Sequence, residues 1–319
     1  MTAGAARTAD LTADVRPAAT RLAGAHLSCE AAAGPGTVRF SAVLPVGTPA
    51  LSGHYPGYPI VPGVFLVEIA AAAEARHREV LELGDRWAGV RSVRFREPVF
   101  PGQRILLERT ERRGLPRYTL SHEDGAVIVV VDLEVRGQGR EPEPLGAAVP
   151  AVVPSAGAGE HPRPEQVLPH RPPMLLLDRV ESVEPTVSLT ATYTVTAGAG
   201  GVVDAGGAEQ LPWPLVLESW AQAAAMLTTW DDPTPDVRTG SVLLFGGARD
   251  VRFGAAPRPS ATLVHEVRLV ADAGGAAVLA GSSRCDDQHV LEVGQLTIGR
   301  RPASSLPDPD QTRHQEVDR

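Results

Sequence analysis

The sequence predicts an α+β fold built twice, each copy an antiparallel sheet around one long helix. Three observations predict it. The 319 residues suffice for about two domains. One order of strands and a long helix occurs in both halves. Between the halves, residues 139–164 (GREPEPLGAAVPAVVPSAGAGEHPRP) consist largely of Pro, Gly and Ala and read as a linker. This gives a first domain over 16–138 and a second over 165–303. The ends, 1–15 and 304–319, are small, polar or charged without an apolar period, and are expected to be disordered.

Composition narrows the function classes. Hydrophobic residues make up 43% and charged residues 21%, an ordinary globular balance. No apolar run reaches the ~18 residues of a membrane span. Met1 to Asp14 lacks the apolar core of a secretory signal. All 30 residues counted as Lys or Arg are arginine, yet the net charge is −8, which disfavours nucleic acid as a partner. The two cysteines, Cys29 and Cys285, lie in opposite halves without metal-ligand spacing and fit a reduced cytoplasm. No metal and no cofactor is expected.

In the first half, Thr37 to Pro45 alternates Val38, Phe40, Ala42 and Leu44 on one face, a half-buried strand. A Gly/Pro-rich segment follows, Gly53 to Gly63. Val64 to Glu82 is helical, with Val64, Val67, Ala71 and Ala75 as its apolar stripe. Strands are expected over Gly89 to Phe95, Arg104 to Arg112, Tyr118 to Ser121 and Ala126 to Val135, the last two joined by the turn His122–Gly125. In the second half, Val180 to Thr196 is β-rich around a turn at Glu184-Pro185, and a Gly-rich loop runs Ala197 to Pro212. A helix runs from Pro214 to about Trp230, with proline favoured at its start. Strands recur at Ser241 to Phe245, Ala261 to Ala271, Ala276 to Ser283 and His289 to Ile298.

The copies can be put in register. Glu68 and Glu218 stand 150 residues apart; Val93-Arg94-Phe95 and Val251-Arg252-Phe253 stand 158 apart. The extra residues fall around Thr229 to Gly240. Two copies in one chain suggest a covalent pseudo-dimer.

The densest local signal is Gly53-His54-Tyr55-Pro56-Gly57-Tyr58-Pro59-Ile60-Val61-Pro62-Gly63-Val64, running into a helix that carries Glu68. Its prolines and glycines stiffen a loop and bring backbone close to a neighbour. Gly63 sits at a helix start, where N–H groups favour developing negative charge. Spacing alone leaves open a structural strand-to-helix crossover with an incidental histidine.

The same residues closely resemble the signature of the β-hydroxyacyl-acyl-carrier-protein dehydratases, whose hotdog fold wraps an antiparallel sheet around a long helix. That signature is a His-Phe-Pro-Gly-x-Pro-x-x-Pro-Gly-Val loop with a helix Glu fourteen residues after the His, the separation of His54 and Glu68. In the second half, Leu168-Pro169-His170-Arg171-Pro172-Pro173-Met174-Leu175-Leu176-Leu177-Asp178-Arg179-Val180 resembles the family's N-terminal segment, and Glu218-Ser219-Trp220-Ala221-Gln222-Ala223 its helix. The chain is also similar to polyketide synthase dehydratase domains, double hotdogs with His in one half and an acid followed four residues later by Gln in the other.

The departures matter equally. Fourteen residues before Glu218 stands Asp204, not His; Trp213 replaces the counterpart of Gly63; and Ala72 stands where the second half has Gln222. Hotdog dehydratases set the His of one protomer opposite the acid of its partner. The resemblance therefore implies one complete site, His54 with Glu218, and an inactive pseudo-site of Glu68 and Asp204. It implies dehydration of 3-hydroxyacyl thioesters, with neutral His54 (ordinary pKa ~6.5) removing the α-proton. Glu218 would be protonated, burial raising its pKa in that direction, or would hold the hydroxyl through a hydrogen bond, to help it leave. Gly63 would bind the thioester oxygen, with Gln222, Tyr55 and Pro62 in support.

The implied partner is an acyl carrier protein bearing a phosphopantetheine-linked chain, and a homo-oligomer is possible. Arg91, Arg94, Arg96 and Arg104 could receive that acidic partner or form a solvated strand face. Trp213, Trp220 and Trp230 could line an acyl tunnel or pack in the core. His77, His122 and His289 are expected at the surface, and His170 in a structural role. The alternatives are a hotdog acyl thioesterase, an isomerase, and a catalytically inactive partner subunit.

Overall fold

The computed structural model describes residues 25–34, 37–80, 86–136, 161–198, 202–203, 209–272, 274–286 and 288–306. Asp204, most of the expected linker, and the N-terminal segment 1–15 lie outside these residues.

The first half contributes β1 (His26–Gly34), β2 (Thr37–Val43), the short helix α1 (Pro49–His54), the long helix α2 (Gly63–Val80), β3 (Arg86–Phe95), β4 (Arg104–Arg112), β5 (Leu115–Ser121) and β6 (Val127–Arg136). The second contributes α3 (Pro164–Val167), β7 (Arg179–Glu184), β8 (Ser188–Thr194), β9 (Val202–Val203), β10 (Glu209–Gln210), α4 (Trp213–Thr228), β11 (Ser241–Phe253), β12 (Thr262–Asp272), β13 (Ala276–Cys285) and β14 (Gln288–Pro302).

Twelve strands form one antiparallel sheet in the order β1-β2-β4-β5-β6-β3-β11-β14-β13-β12-β8-β7. Read inward from either edge, the order of corresponding strands is the same, so the sheet has a pseudo-two-fold centre between β3 and β11. The register obeys the 158-residue offset there. Gly247 pairs with Arg94 and Gly89 with Arg252; Ala248 pairs with Val93 and Val90 with Val251. Each pair is the image of the other, as in the isologous contact of a symmetric dimer.

The two long helices differ as their sequences do. α4 (WPLVLESWAQAAAMLT) is apolar almost all round, and it is buried from Pro214 to Leu227. α2 ends in Arg76, His77 and Arg78, which are only half-buried. Among its described side chains the one buried acid, Glu74, accepts from Arg109 at 2.7 Å, Arg78 at 2.9 Å and the Tyr118 hydroxyl at 2.9 Å. The core is continuous across both copies, from Phe65 and Ile69 on α2 to Trp220 and Met226 on α4.

Several expectations need correction. β1 pairs with β2, although its sequence HLSCEAAAG has little strand propensity. Gly53 and His54, placed at the start of the Gly/Pro-rich segment, end the short helix α1. β11 continues to Phe253, because Gly246-Gly247 makes a bulge instead of an end. Pro164, placed at the end of the linker, is buried at the start of α3. Ser304 and Ser305, assigned to the loose tail, lie in a 3₁₀ turn, and Leu306 just after it packs against a buried apolar cluster.

Candidate active site

The loop after α1 is fixed to the second half by its aromatic residues. Tyr55, Tyr58 and Ile60 pack with Phe100, Val237 and Val242, and the Tyr55 hydroxyl donates to the Leu243 carbonyl at 2.6 Å. His54 is held from two sides. Its ring stacks on Tyr55 at 4.4 Å and 7°, and its Nδ1 lies 3.0 Å from the Ile60 carbonyl oxygen. A carbonyl can only accept, so Nδ1 carries the proton and Nε2 is the basic nitrogen.

Across the junction, α4 presents Glu218 and Gln222 one turn apart. The Gln222 amide donates to Glu218 Oε1 at 3.1 Å and to the Met174 carbonyl at 2.8 Å, and accepts from the Leu176 N–H at 2.9 Å. It thus orients the carboxylate and ties the segment before β7 to the helix. That segment brings in His170, whose Nε2 lies 3.4 Å from Glu218 Oε1. Its ring is edge-on to His54 at 5.2 Å and to Tyr55 at 5.3 Å. His54, His170 and Glu218 are 6%, 5% and 1% exposed, and their donor atoms all lie within 4.8 Å of one another.

His170, expected in a structural role, stands within this cluster. The two halves meet here, His54 from the first and Glu218, Gln222 and His170 from the second. Glu68 lies half-buried on α2 outside this cluster, and Asp204 falls outside the described residues.

Two adjoining cavities share His54, Tyr55 and Leu243 to Phe245. The inner one, about 310 Å³ counted with its opening to solvent, is lined by Glu218, Gln222, Ala221, Ala225 and His170. The outer one, about 850 Å³ with its open mouth, is lined by Gly63, Phe95, Arg96 and Arg301 among others. Gly63 begins α2, so its N–H has no intrahelical acceptor. Just before it, the Pro62 carbonyl accepts from the Phe65 N–H at 3.0 Å, closing the first turn. A side chain at residue 63 would come within 3.0 Å of Phe95. At the corresponding place in the second half, Trp213 packs on Phe253, the counterpart of Phe95, with ring centroids 5.0 Å apart. Neither cavity is lined by Trp213, Trp220 or Trp230, and none of His77, His122 and His289 reaches them. Trp220 is buried and donates to the Glu266 carbonyl at 3.1 Å. His77, His122 and His289, all expected at the surface, are each half-buried.

The charges differ from the sequence expectation in one respect. Burial lowers the His54 pKa to about 4, the nearby Glu218 opposing and His170 reinforcing the shift. The base is therefore neutral throughout the physiological range. Burial pushes the Glu218 carboxyl up, as expected, but the His170 hydrogen bond, the imidazole charges and the Gln222 amide outweigh it, and the net direction is down. Glu218 is thus a carboxylate at neutral pH.

A third buried imidazole, His265, lies behind α4. The Ser219 hydroxyl donates to the Leu176 carbonyl at 2.5 Å and accepts from His265 Nε2 at 2.7 Å; His265 Nδ1 accepts from the Ser283 hydroxyl at 2.7 Å. Burial lowers its pKa to about 3. Both His54 and His265 refuse in the fold a proton that the unfolded chain takes up near pH ~6.5. The unfolded state then binds more protons below that pH, so stability falls as pH drops from ~6.5 towards 4 for His54 and towards 3 for His265. By pH 4 each group costs about 3 kcal/mol. Urea melts at pH 7, 5.5 and 4 are expected to show this loss, with a shallower dependence in His265→Gln.

Comparisons with known proteins agree with this architecture. Residues 30–129 match the family model ApeI-like (ApeI dehydratase), and residues 162–304 match ApeP-like (ApeP dehydratase). The chain belongs to the hotdog dehydratase family. It is a tandem in which each half matches a different member model. The 3-hydroxyacyl-[acyl-carrier-protein] dehydratase FabZ of Yersinia enterocolitica is 39% identical over 90 residues, covering 25% of this chain and 54% of that protein. The corresponding Yersinia pestis protein is 39% identical over 90 residues, covering 25% and 51%. The chain spans about half the length of these curated relatives. Among solved structures, the dehydratase domain from the CurJ module of curacin polyketide synthase has a TM-score of 0.64 at 12% identity, covering 88% of this chain and 98% of that one. The dehydratase domain of PpsC from Mycobacterium tuberculosis gives 0.60 at 14%, covering 86% and 97%. These establish the double-hotdog fold.

Proposed function

We propose that the chain dehydrates 3-hydroxyacyl thioesters to trans-2-enoyl thioesters at one site built from both halves. The observation that carries this reading is His54 of one half beside Glu218 of the other, at the meeting point of two cavities. His54 Nε2 takes the α-proton, the electron pair forms the α,β double bond, and the β-carbon–oxygen bond breaks. The departing oxygen is protonated from the Glu218 side and leaves as water. The Gly63 N–H receives the thioester oxygen as it gains enolate charge. Tyr55 keeps the His54 ring in place, Gln222 orients Glu218, and Pro62 sets the helix entrance that presents Gly63. Pooled assistance of this kind accelerates proton transfer by about 10²–10⁴-fold.

The carrier we propose is an acidic acyl carrier protein, in the cytoplasm. No described helix is long and apolar enough to cross a membrane. Of the arginines named from the sequence, Arg91 lies 2.7 Å from Asp250 and Arg104 3.3 Å from Glu123. Arg96 lines the mouth of the outer cavity, joined there by Arg301, which the sequence did not single out. Both are exposed. Reversing them together (Arg96→Glu with Arg301→Glu) is expected to raise KM for a carrier-bound substrate roughly 10-fold while kcat holds, steady-state kinetics being the check.

The deciding experiment is incubation with 3-hydroxyacyl carrier proteins of varied chain length, following product mass. Loss of one water supports the reading. Release of thiol without enoyl product would instead indicate a thioesterase, and absence of any product an inactive partner subunit.

A further inference from the structure

The proposed reaction needs a proton for the leaving hydroxyl, and a lone Glu218 carboxylate has none to give. The inner cavity offers four titratable side chains: His54, Tyr55, His170 and Glu218. His54 is the base. Tyr55 commits its hydroxyl proton to the Leu243 carbonyl. His170 is the remaining group, and it alone sits on the carboxylate with a ring nitrogen.

Its position is built, not incidental. The Arg171 N–H donates to the carbonyl of Gly53, the residue before His54, at 2.8 Å. Beyond it, Met174 and Leu176 are fastened to α4 by Gln222 and Ser219. One short strap is thus tied at one end beside the base and at the other beside the acid, with His170 between them. The strap also fits too closely to slide, since a β-carbon on Gly53 would collide with the Arg171 carbonyl. The His170 Nδ1 and the Glu218 Oε2 are both buried without a hydrogen-bond partner among the described residues. Unsatisfied buried polar atoms are costly, and they leave room on each group for a substrate contact or a second proton position.

We propose that His170 and Glu218 act as a proton-sharing pair, His170 being the positioning and proton-supplying residue through which Glu218 serves as the acid. This rests on the dehydratase reading above. The proton balance closes within the cluster. One proton passes from the substrate α-carbon to His54 Nε2, and one from the His170–Glu218 pair to the departing oxygen. Transfer from His54 back to the pair, across donor atoms within 4.8 Å of one another, resets the site. The groups facing His170 are His54 and Tyr55 from the first half, Glu218 from α4, and its neighbour Arg171, whose guanidinium donates to the Leu168 and His170 carbonyls at 2.8 and 2.7 Å.

The test compares His170→Asn, which keeps an N–H donor but carries no mobile proton, with His170→Ala. Both are expected to lower kcat at pH 7 by about 10–100-fold with KM changed less than about threefold, and to regain rate as pH falls. Full kcat and an unshifted pH profile in His170→Asn would overturn the proposal and leave His170 a scaffold. A second readout needs no turnover. The protonated-carboxyl infrared band of Glu218, identified by its absence in Glu218→Gln, is expected at higher pH in both His170 variants than in the intact protein. An unchanged titration of that band would overturn the pair. A moved band in a protein that makes no enoyl product would uphold the pair and sink only the dehydratase reading.

Discussion

His54→Ala is expected to reduce kcat for dehydration by about 10²–10⁴-fold, and Glu218→Gln to reduce it by a similar factor. Neither change should move the melting temperature downward by much, because each removes a buried polar group from the wall of a cavity rather than from the packed core. The pair should be strongly non-additive. Once the base is lost, the acid has no developing charge to answer, so the double variant should be little worse than either single one. The comparison that gives the result its meaning is Glu68→Gln. Glu68 occupies the place of Glu218 in the other copy, yet it lies outside the cluster, and its own half carries the histidine proposed as the base. Turnover within about threefold of the intact protein is expected. Steady-state assays of the four variants and the intact protein with one carrier-bound 3-hydroxyacyl substrate check this. Retained activity in Glu218→Gln, or comparable losses in Glu68→Gln, would sink the site shared between halves.

Much of this was legible in the sequence, and the reasons differ by residue. The fourteen-residue spacing of His54 and Glu68 carried the resemblance to the dehydratases, and that resemblance, with Asp204 standing where the second copy would need a His, implied the His54–Glu218 pairing across the halves that is proposed above. Alternation of Val38, Phe40, Ala42 and Leu44 marked β2, and Pro214 marked the start of α4, because both are local effects. His170 was a different case. It owes its place to a strap folding back over α4 and against Gly53, contacts separated by many residues in the chain. The signal that could have found it was the motif itself, in which His170 and Arg171 stand beside buried Met174 and Leu176. The net direction of the Glu218 pKa was hidden for a related reason. Its burial follows from an apolar helix, whereas the donors that overturn burial come from Gln222 and His170, and only the folded strap brings the second of these within reach. The missed edge strand β1 shows the converse, a segment of weak propensity made into a strand by pairing with β2.

The other large effect is expected at the seam between the copies. At Gly89 an added β-carbon would run into the Val251 carbonyl oxygen, and at Gly247 into that of Val93. Each glycine and each obstructing carbonyl is the 158-residue image of the other. The close approach is therefore a property of the pseudo-two-fold axis and not of one strand. Backbone oxygens cannot rotate away, so the strands must separate or the register must shift. Alanine is otherwise no worse than glycine in a strand. Gly89→Ala and Gly247→Ala are each expected to cost about 3 kcal/mol, lowering Tm by roughly 6–12 °C. Gly47→Ala is the control, since nothing lies within 4 Å of a β-carbon there, and its effect should stay within about 0.5 kcal/mol. The consequence reaches the chemistry, because β11 carries Leu243 to Phe245 in the walls of both cavities and holds Tyr55 through the Leu243 carbonyl. A weakened seam should therefore lower kcat even at temperatures where both variants remain folded. Calorimetry paired with turnover at 20–25 °C separates the two effects. Near-equal losses at residues 89 and 247 would confirm the symmetric seam, and native stability in both variants would refute the close packing on which it rests.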